Sequence, residues 1–467
     1  MKSKEIKWFQ IKKWIDKDYP LIKFLALSNK VSFNEQYRNL GSPNIDKYVD
    51  DIINYYSSET KLDKWMIRAI ADVSKYSNPL ELFKIKDSKL YDLENGSKLV
   101  LSLVKIFANL RLKKIDTVIF VPWLKTGGAD LHVVLLARSL TLNKKKCLVI
   151  ATENTTSEWK DRIGNENVFI NIGPIISKIP ILAFINVFRI FLVAWDVKNI
   201  HVMNSHFGWN LLEKYGLILK KICKITTSLF CYDYTVYGEP IGYARNLDNI
   251  NFEFDVILTD NTPFKDHLVD YYAVKRETIH TLRHPIEVDL LAPKSDAKGP
   301  ILWAGRLDDQ KNFPTLIKIA KKRPDLTFEV YGSSVTDQMK SIKDETSSEV
   351  NIIYKGPFSK LDEIPINKYS IFLYTSKWDG LPNIVLEMCA MRIPVICPRI
   401  GGLGVDLPEE FLNLVSNPHA VDEYIELIDS ITKNHESYLD KASKAQIFVV
   451  KNFNFKNLLE QMKEIEY

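Results

Sequence analysis

A chain of 467 residues is longer than one ordinary hydrophobic core organises, so two or three domains are expected. Hydrophobic residues at 46% and charged residues at 26% exclude both a disordered chain and an apolar membrane bundle. A formal charge of +5 is too small to argue for nucleic acid as a partner, although basic residues gathered in one place could still meet an anion.

Five scattered cysteines (Cys147, Cys223, Cys231, Cys389 and Cys397) form no C-x-x-C pair, which suggests neither a disulfide framework nor a zinc site and fits a reducing cytoplasm. Residues 1–112 read as a mainly helical extension, with apolar spacing such as Ile6, Phe9, Trp14 and Ile15 and no uninterrupted apolar core like that of a signal peptide. The first 30 residues carry eight lysines against three acids, interleaved with Trp8, Phe9 and Trp14. They read either as a solvated helix or as an interfacial amphipathic helix in peripheral contact with the inner face of a membrane. The D-x-D formed by Asp16 and Asp18 lies in this helical start and not after a strand, so it is set aside as a magnesium ligand.

From about residue 116 short β-branched runs alternate with amphipathic helices: "TVIFV", "ADLHVVLLARSL", "CLVIAT", "NIHVM", "NLLEKYGLILKKI", "ITTSLF" and "DVILT". Such alternation predicts βα units around a parallel sheet. The run "IPILAFINVFRIFLVAW" at 179–195 is interrupted by Asn186 and Arg189 and falls short of the roughly 20 residues a spanning helix needs, so it is expected to be a buried helix. After a linker-like "PKSDAKGP" at 293–300 the alternation restarts with "ILWAG", "TLIKIAKK", "TFEVYG", "NIIYKG", "SIFLYTS", "IVLEMCAM" and "IPVICP". The expected architecture is α/β: a Rossmann-like domain at 113–292, a second at 298–440, and a closing helix at 441–467. Two such sheets facing each other would line a cleft with the loops at the carboxyl ends of their strands.

Chemistry-bearing residues fall on those loops. Gly305 ends a strand, Arg306 and Lys311 lie in the loop after it, and Pro314 suits the start of a helix, so the two cations make either a seat for a diphosphate or a solvated basic loop. In "SKWDGLPNIVLEMCAMRIPVICPRIGG", Gly380, Leu381, Pro382 and Asn383 turn the chain into a helix whose amino end favours an anion. Glu387, one turn inside, can accept from paired hydroxyls such as those of ribose, and Asp379 from those of a sugar ring. Both could equally be acids that favour a helix start. Gly401 and Gly402 would let backbone approach the same ligand, or simply turn the chain. Gly127 and Gly128 form a strand-to-helix turn, but without the G-x-G-x-x-G of a nicotinamide site or the lysine of a P-loop. His206 follows a strand and precedes a helix, and would either point into the cleft or make a structural hydrogen bond. Tyr232, Asp233 and Tyr234, with Tyr237, Glu239 and Tyr243, suit stacking on sugar rings or a structural tyrosine cluster.

Taken together, "GRLDDQKN", "DGLPNIVLEMCAMRIPVI", "RIGG", "KTGGAD" and "NSHFGW" resemble the retaining glycosyltransferases of family 4, which have the GT-B fold, over roughly residues 116–467. The resemblance implies that Arg306 and Lys311 hold the diphosphate of a nucleotide sugar, that Asp379 and Glu387 match the E-x7-E acids, that Gly128 covers the phosphate, and that His206 matches the active-site histidine near the donor sugar. It also implies that the closing helix crosses back to the N-terminal domain, and that no metal or other cofactor is needed. Three positions depart from the family pattern: Asp379 replaces glutamate, Asp130 stands where glutamate often follows the glycine pair, and Arg392 sits where glycine is usual.

The expected function is a cytoplasmic, metal-independent transferase. It would move a hexose from a nucleotide sugar to a saccharide or lipid-linked saccharide of the O-antigen or capsule kind. A nucleotide-sugar epimerase or hydrolase, and a non-catalytic glycan- or nucleotide-binding subunit, are the alternatives.

Overall fold

The computed structural model describes residues 106–107, 110, 115–178, 181, 184–185, 188, 191–192, 195–235, 237–286, 298–333, 351–358 and 361–465. The Asp16/Asp18 pair, the basic start at 1–30 and most of the linker lie outside them. The chain divides into two compact units, one running up to Thr227 and including Asn249–Asp255, the other made of Ser228–Asp248 and Val256–Tyr467.

In the first unit, β1 (Thr117–Val121), β2 (Cys147–Ala151), β3 (Val168–Asn171), β4 (Asn199–Val202) and β5 (Lys224–Ser228) run parallel in the order β3-β2-β1-β4-β5. Every residue of β1 and β2 is buried, as expected of parallel strands covered on both faces. Helix α1 (Gly128–Leu142) follows β1, and α2 (His206–Leu219) follows β4. In the apolar run at 179–195, residues 181, 184, 185, 188, 191 and 192 are helical. Phe184, Phe188 and Trp195 are completely buried, and the rings of Phe184 and Phe188 stack at 5.1 Å. This is core, as the polar interruptions implied. Among the described residues no helix is long and apolar enough to cross a membrane.

The second unit holds the hairpin of β6 (Asp233–Tyr234) and β7 (Pro240–Ile241), then β8 (Val256–Thr259), α3 (Thr262–Tyr272) and β9 (Ile279–Thr281), with β8 and β9 parallel. The second sheet contains β10 (Ile301–Ala304), β11 (Phe328–Tyr331), β12 (Ile352–Gly356), β13 (Ile371–Leu373) and β14 (Val395–Pro398). After the two-residue strands β15 (Leu403–Gly404) and β16 (Leu407–Pro408), β17 (Asn413–Val415) completes it. The order is β12-β11-β10-β13-β14-β17, and every pairing is parallel.

Alternation along these strands sorts the core into two layers. Leu302, Ala304, Phe372, Tyr374, Val395 and Cys397 pack with α5 (Asn383–Ala390) and α7 (His435–Asn452) on one face. Ile301, Trp303, Phe328, Val330, Leu373 and Ile396 pack with α4 (Phe313–Lys322) and α6 (Val421–Lys433) on the other. Period-two side chains with helices on both sides make a doubly wound sheet. Helix α5 has eight residues, fewer than the roughly 12–15 an isolated helix needs to persist. Its placement therefore rests on burying Val385, Leu386 and Met388, each worth on the order of 1.5–3 kcal/mol.

The order reverses between β10 and β13 in the second sheet and between β1 and β4 in the first. Such reversals splay the following loops apart and open a crevice at the carboxyl ends of the strands. The closing helix α8 (Phe455–Glu464) buries Leu458 and Met462. The Arg283 amide donates to the Gln461 side chain at 3.0 Å, and the Arg283 guanidinium to Asn452 at 3.0 Å.

Candidate active site

The loops after β10 and β13 meet at the switch point of the second sheet. In the first, the Asp308 carboxylate accepts from the Lys311 amide at 3.0 Å, and Asn312, left-handed at φ 55°, starts α4 with Pro314 in its first turn. This turn sends the Lys311 side chain past Gly305, with 3.5 Å between its Cγ and the position a Gly305 Cβ would take. Its Nζ lies 2.6 Å from Asp379 Oδ2 and 3.2 Å from the Tyr374 hydroxyl, and that hydroxyl donates to the same Oδ2 at 2.5 Å. Asp379 Oδ1 accepts from the Gly380 amide at 3.0 Å. Burial alone would raise the Asp379 pKa, but the Lys311 charge and the three donors outweigh it and hold the carboxyl below its ordinary value. Burial, with Asp379 beside it, pushes the Tyr374 phenol well above its ordinary range.

Arg306 faces its own loop. Its Nε lies 2.9 Å from Asp308 and its Nη2 donates to Gln310 at 2.6 Å, with half the side chain exposed. Gln310 ties the two loops, donating to the Trp378 carbonyl at 3.0 Å and accepting from the Lys377 amide at 2.8 Å. Lys377 and Asp309 form an ion pair across the same gap. Sequence spacing brought Arg306 and Lys311 together as two cations, whereas the structure joins Lys311 to Asp379.

Gly380 and Leu381 lead through Pro382 into α5, with Asn383 its first residue and Glu387 half-buried one turn inside. The carbonyl of Pro382 accepts from the Val385 amide at 3.0 Å. His284 is buried, which pushes its pKa down to about 4 against the opposing effect of a hydrogen bond to the Asn383 side chain. Gly401 is left-handed at φ 50°, and a Cβ there would stand 2.0 Å from the Gly380 carbonyl oxygen. Only glycine allows this approach. The Gly402 amide donates to that same carbonyl at 3.0 Å.

A cavity of about 770 Å³ opens beside this loop and is lined by Tyr232, Tyr234, Phe264, His267, Lys377, Trp378 and Asp379, among others. Two of the three residues expected to face an acceptor, Tyr232 and Tyr234, therefore share its wall with Asp379. The third, Asp233, accepts from the Trp378 indole at 3.2 Å. Tyr234 meets Trp378 edge-on at 5.2 Å, while the Tyr232 hydroxyl lies 3.0 Å from His267 Nε2 and donates to Tyr272 at 2.8 Å. Stacking faces, hydroxyls and carboxylates in one space suit a sugar ring.

In the first unit, Gly127 and Gly128 begin α1 after β1, and His206 is the exposed first residue of α2 after β4. All three thus sit at the switch point of the first sheet. Ser205 caps α2 by accepting from the Gly208 amide at 2.9 Å. Asp130 accepts from the Lys125 amide at 2.7 Å and, dominated by burial, has its pKa raised to about 6. Arg392, which departs from the family's glycine, is left-handed at φ 61°, and this explains why glycine suits the position.

Sequence reasoning missed Tyr374, Gln310, Trp378 and Asp260. The first reads as a core residue in an apolar strand and the next two as ordinary loop residues. Asp260 directly follows β8, and only that position after a strand could have marked it. Among the described residues, no group of three or more His, Cys, Asp or Glu is arranged to hold a metal ion.

Residues 292–447 match the family model described as Glycosyl transferases group 1. The chain is similar to an uncharacterized glycosyltransferase of Haemophilus influenzae, 24% identical over 348 residues that cover 65% of this chain and 96% of that protein. Its fold is similar to that of Anabaena HepE, solved in complex with UDP, with a TM-score of 0.60 at 14% identity over 75% of this chain and 99% of the other. It is also similar to the lipopolysaccharide outer core galactosyltransferase WaaB, with a TM-score of 0.54 at 15% identity over 74% and 99%. The likeness to the glycosyl transferases group 1 model thus covers residues 292–447, and the chain has the GT-B fold, α/β with parallel sheets in two Rossmann-like domains.

Proposed function

We propose that this chain is a retaining, metal-independent glycosyltransferase that moves a hexose from a nucleotide diphosphate sugar to a growing surface glycan. The observation that carries the reading is the Lys311–Asp379 ion pair, 2.6 Å long at the switch point of the group 1 domain, beside a cavity walled by aromatic rings. A half-exposed Arg306 stands on the same loop, and the amino end of α5 begins three residues beyond Gly380. When the anomeric carbon–phosphate bond breaks, negative charge grows on the leaving phosphate. Fixed cations and helix amides lower the energy of that state more than that of the bound donor.

Asp379 holds Lys311 in place before the donor arrives, so little reorganisation is needed when charge develops. Glu387 takes the ribose hydroxyls. UDP is the first nucleotide to test because HepE was solved with it, and a surface glycan acceptor agrees with the lipopolysaccharide outer core for which WaaB is named.

The experiment is calorimetric binding of UDP, GDP and ADP sugars, followed by product analysis with saccharide acceptors in the presence of a chelator. A new glycosidic bond with the donor's anomeric configuration, formed despite chelation, is expected. Lys311→Ala should lower turnover by about 10² to 10³. Free sugar or an epimer without a new bond, or donor binding without turnover, would refute the transferase.

A further inference from the structure

Asp260 is a carboxylate that the transfer chemistry does not use. It is 8% exposed at the end of β8, where the adjoining Asn261 caps α3 by accepting from the Phe264 amide at 2.9 Å. One carboxylate oxygen accepts from the Leu381 amide at 3.0 Å and the other from the Asn261 side chain at 2.7 Å. Both oxygens also lie 2.5 Å from where a Gly380 Cβ would stand, so the loop passes this close only because residue 380 is glycine. The contact spans 121 residues of chain and falls between Asp379, which holds Lys311, and Pro382, which starts α5.

We infer that Asp260 is a positioning residue for the donor loop: by holding the Leu381 amide it fixes both the reach of Asp379 to Lys311 and the aim of the α5 amino end. The inference rests on the donor-binding reading above. Burying a carboxylate is unfavourable unless donors compensate it, and here two hydrogen bonds offset the cost only in part, because Asp379 adds repulsion from its side of Gly380. Desolvation, opposed by those hydrogen bonds, leaves the Asp260 pKa at about 7. A core position chosen for stability alone would be filled better by an apolar residue. What the carboxylate adds is a defined place for one backbone amide.

The test has two arms, each run on wild type, Asp260→Ala and Asp260→Asn. The first needs no ligand: amide hydrogen exchange in the 376–386 segment is followed by mass spectrometry. Above pH 8, where the Asp260 carboxyl is ionised, a hydrogen bond to a charged group supports protection of about tenfold or more, so Asp260→Ala should speed Leu381 exchange there by that factor. Asp260→Asn, whose side-chain oxygen still accepts, should restore most of it. The second arm measures calorimetric affinity for UDP and UDP-glucose. Asp260→Ala should weaken both by roughly tenfold through lost preorganisation, and Asp260→Asn should recover the affinity.

Unchanged exchange in the alanine variant overturns the inference. So does faster exchange with undiminished affinity, which would make Asp260 a structural anchor only. A wild type that binds no nucleotide sugar refutes the donor-binding reading instead, and the exchange arm then decides the clamp by itself.

Discussion

Replacing Lys311 with Met keeps the length of the side chain but removes its charge from beside Asp379. The two side chains are only 16% and 22% exposed, so the pair is largely, though not wholly, desolvated. Breaking a fully buried pair costs about 3–5 kcal/mol, and the residual water contact brings the expected loss to about 2–3 kcal/mol at pH 7. The pH dependence follows from the two protonation equilibria. In the wild type, Lys311 and the donors depress the folded pKa of Asp379, so its contribution is complete above the unfolded value of about 3.9 and is lost as pH falls through the folded value. In the variant burial dominates and raises the folded pKa above 3.9. The penalty is then absent at low pH and grows as pH rises through the new folded value. The gap between the two proteins should therefore narrow from pH 7.5 toward pH 4.5. Urea unfolding followed by tryptophan fluorescence at both pH values measures it, since urea adds no ionic screening. Adding Asp379→Asn to Lys311→Met should recover most of the loss. A gap of equal size at both pH values, or no recovery in the double variant, would refute the account of Asp379 as a buried charge held by Lys311.

Two further outcomes concern the backbone that carries the site. Gly401→Ala places a methyl group 2.0 Å from the Gly380 carbonyl oxygen at φ 50°, so the loop must shift; thermal unfolding should show destabilisation beyond the roughly 1–2 kcal/mol of left-handed strain, and donor affinity should fall with it. If the variant melts and binds like wild type, the close approach at 380 is not needed. At Arg392, φ 61°, Arg392→Gly should stay within about 1 kcal/mol of wild type because relieved strain offsets the lost 2.9 Å bond to Ser443, whereas Arg392→Ile should cost roughly 1–3 kcal/mol. Equal unfolding midpoints for the two variants would show that backbone conformation is not what governs this position.

The parallel sheets were legible because their strands are short, apolar and regularly punctuated: "TVIFV" is β1 and "CLVIA" is β2. The single closing helix expected at 441–467 is instead the end of α7 and the separate α8, because the chain turns at Phe453 and the Asn454 side chain caps α8. The site was legible to the level of loops, since Lys311, Asp379, Gly380 and Gly401 lie where strand-to-helix turns put them. Partnerships were not. Nothing in the spacing distinguishes a Lys311 that waits for phosphate from one that grips Asp379, because the choice depends on Tyr374, which reads as an ordinary strand residue. Asp260 was hidden for a related reason: it acts on an amide 121 positions away, and a backbone donor leaves no mark in a sequence.

The residue that joins the two loops has a consequence for how substrates sense one another. At the cavity wall, Trp378 accepts from the Gln310 side chain through its backbone carbonyl and donates its indole N–H to Asp233. A saccharide that shifted the Trp378 backbone along with its ring would pull on Gln310 and, through it, on the turn that aims Lys311. If the chain is the transferase proposed above, occupancy of the aromatic wall and the grip on phosphate would be linked, and thermodynamic reciprocity would make the influence equal in both directions.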